Sequence, residues 1–200
     1  MNEIKARVLK PPNVYYRDHS TPKIDNGKWR MANNFKLYET PKLDFWMIVW
    51  IVEMGDEDYA FYNSKLINGI KKVFPLNGLQ TSPPKILYLP NQKLCDVFRR
   101  IRENCGNFKP KLVMFVFNES DQRDEIKKIA ENDISYGLMT QCIKFDKFSK
   151  QMDHDIVDET DWKLNNYLSN VLLKINAKLG GCNNVVDYSI LNKYVYKHFI

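Results

Sequence analysis

The chain has 200 residues, of which 44% are hydrophobic, which is enough for one sizeable folded core. The formal net charge of +6 permits nucleic acid or an anionic surface as a partner without requiring either. The four cysteines lack CxxC spacing and the three histidines are scattered. These spacings argue against a zinc site and favour free thiols in a reducing compartment.

Membrane and secretion signals are not expected from this sequence. The N-terminus lacks the charged stretch followed by an apolar stretch that is typical of a signal peptide. The longest apolar run, Phe45–Val52, is too short to span a bilayer. We therefore expect an intracellular protein, cytoplasmic or nuclear, that has no membrane partner.

The first half of the chain predicts an approach segment followed by alternating strands and helices. Residues 1–44 are polar and contain four prolines, so they predict a segment without a regular helix. Phe45–Val52 predicts the first central strand, because it is uncharged and rich in aromatic and β-branched residues. Trp46 and Trp50 share one face of that strand. Stacking on a base would suit this pair, but packing in the core is favoured, since helices cover both faces of a central strand.

Further elements follow up to residue 105. Asp56–Phe74 predicts a helix, Lys85–Leu89 a short strand, and Leu94–Ile101 a second helix. The apolar stripe of the first of these helices is expected to contain Phe61, Leu66, Ile70 and Val73.

Lys111–Gln141 predicts a strand, a turn, a helix and the next strand. Leu112–Phe117 is a continuous apolar run of the kind that is buried on both faces of a sheet. The turn Asn118–Ser120 ends it, and Ser120 or Asp121 is a candidate N-cap for the helix that follows. Thr140–Cys142 is expected to close the next strand.

The last third predicts a loop, a helix and a tail. Residues 144–161 have mixed charge and predict a surface connection. Trp162–Leu179 predicts a helix that ends at Gly180–Gly181, with Gly180 in the left-handed conformation. Val185–Ile200 alternates apolar and polar residues and predicts an edge strand.

This alternation predicts an α/β, Rossmann-like sandwich with a mainly parallel central sheet flanked by helices. Ligands of such folds bind beyond the carboxyl ends of the strands, where we expect residues 118–127 and Gln141. Arg123 and Lys127 lie one turn apart near a helix N-terminus, and Lys174 and Lys178 share one face of the last helix. From their spacing alone, solvated helix faces explain these cations as well as an anion site does.

Two sequence motifs favour an anion site over solvated helix faces. The strand end TQC at 140–142 and the helix end LKINAKLGGCNN at 173–184 together resemble the MID domain of Argonaute proteins. The segment Gly27-Lys28-Trp29-Arg30-Met31 is similar to the end of the second Argonaute linker. The resemblance implies a linker-like segment at 1–44, a MID domain at 45–184, and a tail at 185–200 that leads toward a PIWI domain outside this chain.

The resemblance also implies a function, namely anchoring the 5′-phosphorylated end of a small guide RNA in RNA-mediated gene silencing. It assigns the 5′-phosphate to Lys127, Gln141, Lys174 and Lys178, and inspection of the first base to Asn118, Glu119 and Ser120. Arg123 stands where many Argonautes have a tyrosine that stacks on the first base. An arginine can also stack on a base, and we hypothesise that its charge helps a 5′-triphosphate to bind. A degraded pocket is the opposing explanation.

The resemblance implies no catalysis in this chain, because Argonautes cut RNA in the PIWI domain. We find no nucleophile–base arrangement, Gly-rich phosphate loop or metal-ligand cluster in the sequence, and we expect neither cofactor nor metal. The expected partners are a guide RNA with a 5′ mono- or triphosphate and the PIWI domain of the same protein. Two alternatives stay open: a MID-like protein-interaction scaffold that has lost RNA binding, and a nucleotide-dependent α/β enzyme, which the missing GxGxxG and GxxxxGK[ST] motifs disfavour.

Overall fold

A computed structural model describes residues 12–29, 35–132, 137–152 and 162–187. Its centre is a four-stranded parallel sheet in the order β3-β2-β4-β5. The prediction of an α/β sandwich with a mainly parallel sheet is therefore confirmed. No helix in the described ranges is long and apolar enough to span a membrane. The four strands are β2 (Trp46–Trp50), β3 (Lys85–Tyr88), β4 (Leu112–Phe117) and β5 (Thr140–Lys144).

Helices cover both faces of this sheet and divide the core into two layers. One layer packs α1 and α5 against Leu112, Met114 and Val116 of β4. The other packs α2 and α3 against the alternate residues of the same strand. Because both faces are covered, every residue of β2 and β4 is buried, which explains their unbroken apolar sequences. The helices are α1 (Asp56–Leu76), α2 (Leu94–Cys105), α3 (Ser120–Asn132), α4 (Phe145–Ser149) and α5 (Trp162–Lys178).

The two tryptophans of β2 are core residues, as predicted. Trp46 and Trp50 have 1% and 0% of their surface exposed. Each indole N–H is satisfied inside the protein, that of Trp46 by the Ser82 carbonyl at 2.8 Å and that of Trp50 by the Asn63 side chain at 3.2 Å. Neither ring is therefore available to stack on a base.

The segment before β2 packs on the domain instead of only leading to it. A short strand β1 (Val14–Tyr15) pairs antiparallel with β6 (Val185–Val186), and the core layer of α1 and α5 includes Val14, Tyr16, Leu37 and Leu43. The edge strand predicted for the tail thus forms at its first residues, but it joins this separate two-stranded sheet. Residues 188–200, together with Arg30 and Met31 of the linker-like motif, lie outside the described residues.

Two sequence predictions on the α1 and α5 side are wrong. Residues 144–161 were expected to form only a surface connection, yet residues 145–149 form α4 and Phe148 is fully buried. The physical reason is that Phe145 and Phe148 lie one helical turn apart, so both rings reach Trp50, 6.4 and 6.2 Å away between ring centroids. Phe61 of the predicted apolar stripe is 40% exposed, with the Lys65 ammonium over its ring. Residues 153–161 lie outside the described residues.

The motif at residues 173–184 has a structural explanation. Gly180 has a φ of +85° and ends α5 in a Schellman turn, in which the Gly181 N–H donates to the Asn176 carbonyl at 2.9 Å. The buried Asn176 side chain donates to the Glu39 carbonyl and to the Asn183 side chain. A Cβ at Gly181 would collide with that side chain. The motif thus fixes the C-terminal turn of α5, where Lys174 and Lys178 lie.

We expect Phe148→Ala to lower the free energy of unfolding by about 3–5 kcal/mol, because it empties a fully buried aromatic site under α4. Urea denaturation measures this loss, and the milder Phe148→Leu extends the series if the alanine variant does not fold. The matched control is Phe108→Ala, since Phe108 is 76% exposed and its loss should cost less than about 0.5 kcal/mol. Equal losses for Phe148→Ala and Phe108→Ala would contradict the packing of α4.

Candidate anion-binding site

The candidate site lies along β5, the edge strand of the sheet, between α3 and the end of α5. Ser120, Arg123 and Lys127 follow one another at intervals of three and four residues, so they lie on the same face of α3. The Lys144 ammonium at the end of β5 donates to the Ser120 hydroxyl at 3.2 Å, which fixes the start of α3 beside the strand. α5 approaches the other end of β5 with Lys178.

Lys178 connects the last helix to the edge strand. Its ammonium donates to the Thr140 carbonyl at 2.6 Å and to the Gln141 side-chain oxygen at 2.9 Å. Desolvation, and then the positive charge of Lys127, lowers the pKa of Lys178 below its usual range. Lys174 and Arg123 lower it further, so cations from two helices act on one ammonium group.

The thiol of Cys142 lies under the same group of cations. Burial raises the pKa of Cys142, while the nearby charges of Lys178, Lys127 and Arg123 oppose this rise. The raised pKa keeps the thiol neutral near pH 7, so it adds no negative charge to the site. Cys142 is partly buried and packs against the core layer of α2 and α3.

The positive charges of this site are poorly neutralised by the protein. Among the described residues, no carboxylate lies within 4 Å of the ammonium groups of Lys127, Lys174 or Lys178. Arg123 has one such neighbour, Asp124 at 3.8 Å, and both side chains are largely exposed. We call the four residues Arg123, Lys127, Lys174 and Lys178 the cation cluster. A bound anion would lower the repulsion among them.

Gln141 does not lie where the sequence placed it. It was expected at the carboxyl end of its strand, but it is the second residue of β5 and pairs with Met114 in the middle of β4. The strand continues because Ile143 supplies one more buried apolar side chain. Gln141 is only 5% exposed, and its amide donates to the Cys142 carbonyl while accepting from Lys178. In this structure its side chain orients Lys178.

The predicted base-inspection loop lies between β4 and α3, at the carboxyl end of the sheet, as expected. The backbone N–H groups of Asn118 and Glu119 both donate to the Gln122 side-chain oxygen, at 3.3 and 3.0 Å. Gln122, at the third position of α3, therefore makes one of the two bonds of a capping box, the bond from its side chain to the N–H of the N-cap residue Glu119. Ser120 and Asp121 were the N-cap candidates from the sequence; the signal for this cap is the glutamine three residues after Glu119.

Lys144 is a residue that sequence reasoning missed. It is the last residue of β5 and pairs with Phe117, the last residue of β4. The rule that ligands bind beyond the carboxyl ends of parallel strands points to this position. Lys144 was missed because the strand was expected to close at Cys142.

Comparison with known proteins assigns the family. Residues 112–200 match the family model described as Piwi domain. The chain is 30% identical over 203 residues to protein argonaute 6 of Arabidopsis thaliana, and 26% identical over 193 residues to protein argonaute 4B of Oryza sativa subsp. japonica. These alignments cover 94% and 92% of this chain. The chain belongs to the Argonaute family. It spans about a fifth of the length of these relatives, 20% and 19%.

Solved Argonaute structures share the fold of the chain. Drosophila Piwi matches with a TM-score of 0.70 and 15% identity, over 90% of this chain and 23% of that chain. The Kluyveromyces polysporus Argonaute with a guide RNA matches at 0.61 and 17%, over 90% and 21%. The MID domain of Arabidopsis thaliana AGO5 matches at 0.52 and 21%, over 76% of this chain and 99% of that domain. The chain therefore has the fold of an Argonaute MID domain.

The match to the Piwi-domain family model begins inside the central parallel sheet of the chain. Its first residue is Leu112, the start of β4, and β4 pairs with β2, which lies before the match. The matched part and the part before it therefore share one sheet and one core. The domain limits expected from the sequence, 1–44, 45–184 and 185–200, stay predictions.

Proposed function

We propose that this chain anchors the 5′-phosphorylated end of a small guide RNA as part of an Argonaute protein. The observation that carries the proposal is the cation cluster, in which three of the four residues have no carboxylate within 4 Å among the described residues. A terminal phosphate carries almost two negative charges near pH 7 and offers three acceptor oxygens. It matches the cluster in charge and in hydrogen-bonding capacity.

The hydrogen bonds of Lys178 support this role. An ammonium group has three donors, and two of those of Lys178 are used by Thr140 and Gln141. The third can donate to a phosphate oxygen while the first two hold the group in place. Gln141 then contributes by orienting Lys178, in addition to the direct contact that the family resemblance implies. Lys127 and Lys174 add charge from α3 and α5.

Family membership supports the same proposal. One structural neighbour is described as an Argonaute with a guide RNA, and it shares this fold over 90% of the present chain. We infer that a guide RNA and the PIWI domain of the same protein are the partners of this chain. We also infer that the chain by itself binds RNA without cutting it, and that any cutting depends on residues beyond it.

One alternative function has its own observation in its favour. Arg123 is largely exposed, and the family resemblance puts it where many Argonautes have a tyrosine. Gln141 is buried, and both the nitrogen and the oxygen of its side-chain amide are hydrogen-bonded to protein. A pocket altered in this way fits a MID-like scaffold that binds proteins and no longer binds RNA. The following RNA measurement separates the two functions.

We expect a 5′-monophosphate to strengthen binding of a short RNA relative to a 5′-hydroxyl, and we expect Lys127→Ala or Lys174→Ala to remove most of that gain. A charge-assisted hydrogen bond contributes about 1.5–3 kcal/mol, which is about tenfold or more in affinity. Fluorescence anisotropy at two salt concentrations measures it. Lys71→Ala is the matched control, because Lys71 is exposed on α1 beside Pro83 and lies outside the cluster. Equal binding of both RNA ends would support the scaffold.

A second prediction concerns Arg123 and the hypothesis that it favours a triphosphate. We expect wild type to prefer a 5′-triphosphate over a monophosphate more than Arg123→Tyr does, because the variant keeps a planar group that can stack on a base and loses a permanent charge. The ratio of the two dissociation constants in each protein measures this effect. The same ratio in both proteins would remove this role for Arg123 and leave the monophosphate site untouched.

A further inference from the structure

The connection from α2 to β4 and the residue Leu138 before β5 line a cavity of about 160 Å³. Its floor is apolar, because it consists of the buried side chains of Cys105, Pro110 and Leu138. A cavity of about 150 Å³ can hold benzene, so this one has room for a phenyl ring or a branched aliphatic group. Its lining ends just before β4 and β5 begin, so the cavity lies at the amino end of the sheet. It shares no residue with the cation cluster.

The connection from α2 to β4 is fixed at both of its ends. At the end of α2, the Phe108 N–H donates to the Cys105 carbonyl at 3.1 Å. At the start of β4, the Lys111 N–H donates to the Phe45 carbonyl at 2.7 Å, and the Lys111 ammonium pairs with Asp44 at 2.8 Å. The cavity is therefore already formed in the free chain, which lowers the ordering cost of binding a ligand there.

Phe108 stands at the rim of this cavity and is 76% exposed. Its ring meets Phe45 in an edge-to-face contact, with 6.5 Å between the ring centroids. That contact covers little of the ring, so Phe108 stabilises the fold little. An apolar side chain that enters the cavity would cover the exposed ring and remove its apolar surface from water.

The rim also carries positive charge. Arg102 and Lys109 line the cavity, and no Asp or Glu is among the described residues that line it. The Lys109 ammonium lies beside Gly137, where an added Cβ would be 3.1 Å from it, and no carboxylate in the described part of the chain lies within 4 Å of it. The neighbouring carboxylate of Glu103 is already paired with Arg100 at 3.2 Å. The entrance therefore favours a ligand that brings carboxylates of its own.

We propose that this cavity docks an acidic segment of a partner protein, which places one phenylalanine- or leucine-sized side chain in the cavity and its flanking carboxylates on Arg102 and Lys109. A nucleobase fits less well, because Asn107 is the one amide or hydroxyl side chain among the described lining residues. The polar edge of a base would be left largely without partners. A small anion would leave the apolar floor unused. An acidic segment with an apolar anchor matches both the floor and the rim.

The probe is a short fluorescent peptide of aspartate and glutamate residues with phenylalanine at its centre, titrated into the 200-residue chain by fluorescence anisotropy. We expect it to bind about tenfold or more tightly than the same peptide with a central alanine, because its phenyl ring leaves water. A peptide whose central phenylalanine is flanked by serines should bind more weakly than the acidic peptide, since the attraction to the rim cations is lost.

Two variants separate the contributions of the ring and the charge. Phe108→Ala should reduce the ratio between the affinities of the phenylalanine and alanine peptides by about threefold or more. Lys109→Glu should instead weaken both acidic peptides alike, by about threefold or more, and leave their ratio unchanged. The matched controls are Phe61→Ala, which removes an exposed ring on α1, and Lys147→Glu, which reverses an exposed charge on α4; both should behave as wild type.

Three results would overturn the inference. The first is equal binding of the phenylalanine and alanine peptides by wild type, or binding that neither Phe108→Ala nor Lys109→Glu weakens. The second is peptide binding that Lys127→Ala abolishes, which would place the acidic segment on the cation cluster. The third is a 5′-hydroxyl RNA whose binding falls in Phe108→Ala, which would assign the surface to RNA. The gain from a 5′-monophosphate tests the proposed function separately, and we expect it to be the same in Phe108→Ala and in wild type.

Discussion

The bonds of Lys178 to the Thr140 carbonyl and the Gln141 side chain are the contact on which the site depends. Among the described residues, β5 is the edge of the sheet and its outward carbonyl groups have no neighbouring strand; at Thr140 the Lys178 ammonium donates to such a carbonyl instead. The same contact places the Lys178 ammonium of α5 near the positive charge of Lys127 on α3. Its energetic cost is visible in the lowered pKa of Lys178, which desolvation and then Lys127 produce. The protein holds the cations together by hydrogen bonds to neutral groups and leaves their charge available to an anion.

Three further contacts hold the C-terminal end of α5 beside β5. The helix stops in a Schellman turn at Gly180, and the buried Asn176 side chain joins this turn to Glu39 in the segment before β2. The strand pair β1 and β6 connects the same segment to the residues that follow the turn. Residues far apart in sequence thus define one position for Lys174 and Lys178. This explains why the residues before β2, which the sequence suggested were a linker, contribute to the core.

The sequence predicted the fold well where burial alone determines structure. β2 and β4 are apolar on both faces, and an uncharged run such as Leu112–Phe117 has few alternatives to a central strand. The sequence-based prediction failed where one buried residue changes the boundary of an element. Ile143 extends β5 past Cys142, and burial of Phe148 stabilises α4 in a segment that was expected to be a charged connection. The cations could not be assigned from spacing, because a helix face with two lysines is equally typical of a solvated surface. The motif resemblance selected them, and only the structure revealed Lys144 and the bonded N–H groups of the loop.

The most direct test of a phosphate site centred on Lys178 is whether ligand binding changes its protonation. A bound phosphate raises the pKa of Lys178, so binding at alkaline pH should take up protons from the buffer; the phosphate itself, with a second pKa of about 6, is already a dianion there. Calorimetry with adenosine monophosphate, whose base does not titrate at alkaline pH, in two buffers of different ionisation enthalpy measures this uptake. A Cys142→Ser background removes the thiol beside the cation cluster, so that its ionisation does not contribute to the measured uptake. We predict net uptake that falls when Lys178→Gln is added. Binding without uptake, or the same uptake in both proteins, would contradict the role of Lys178.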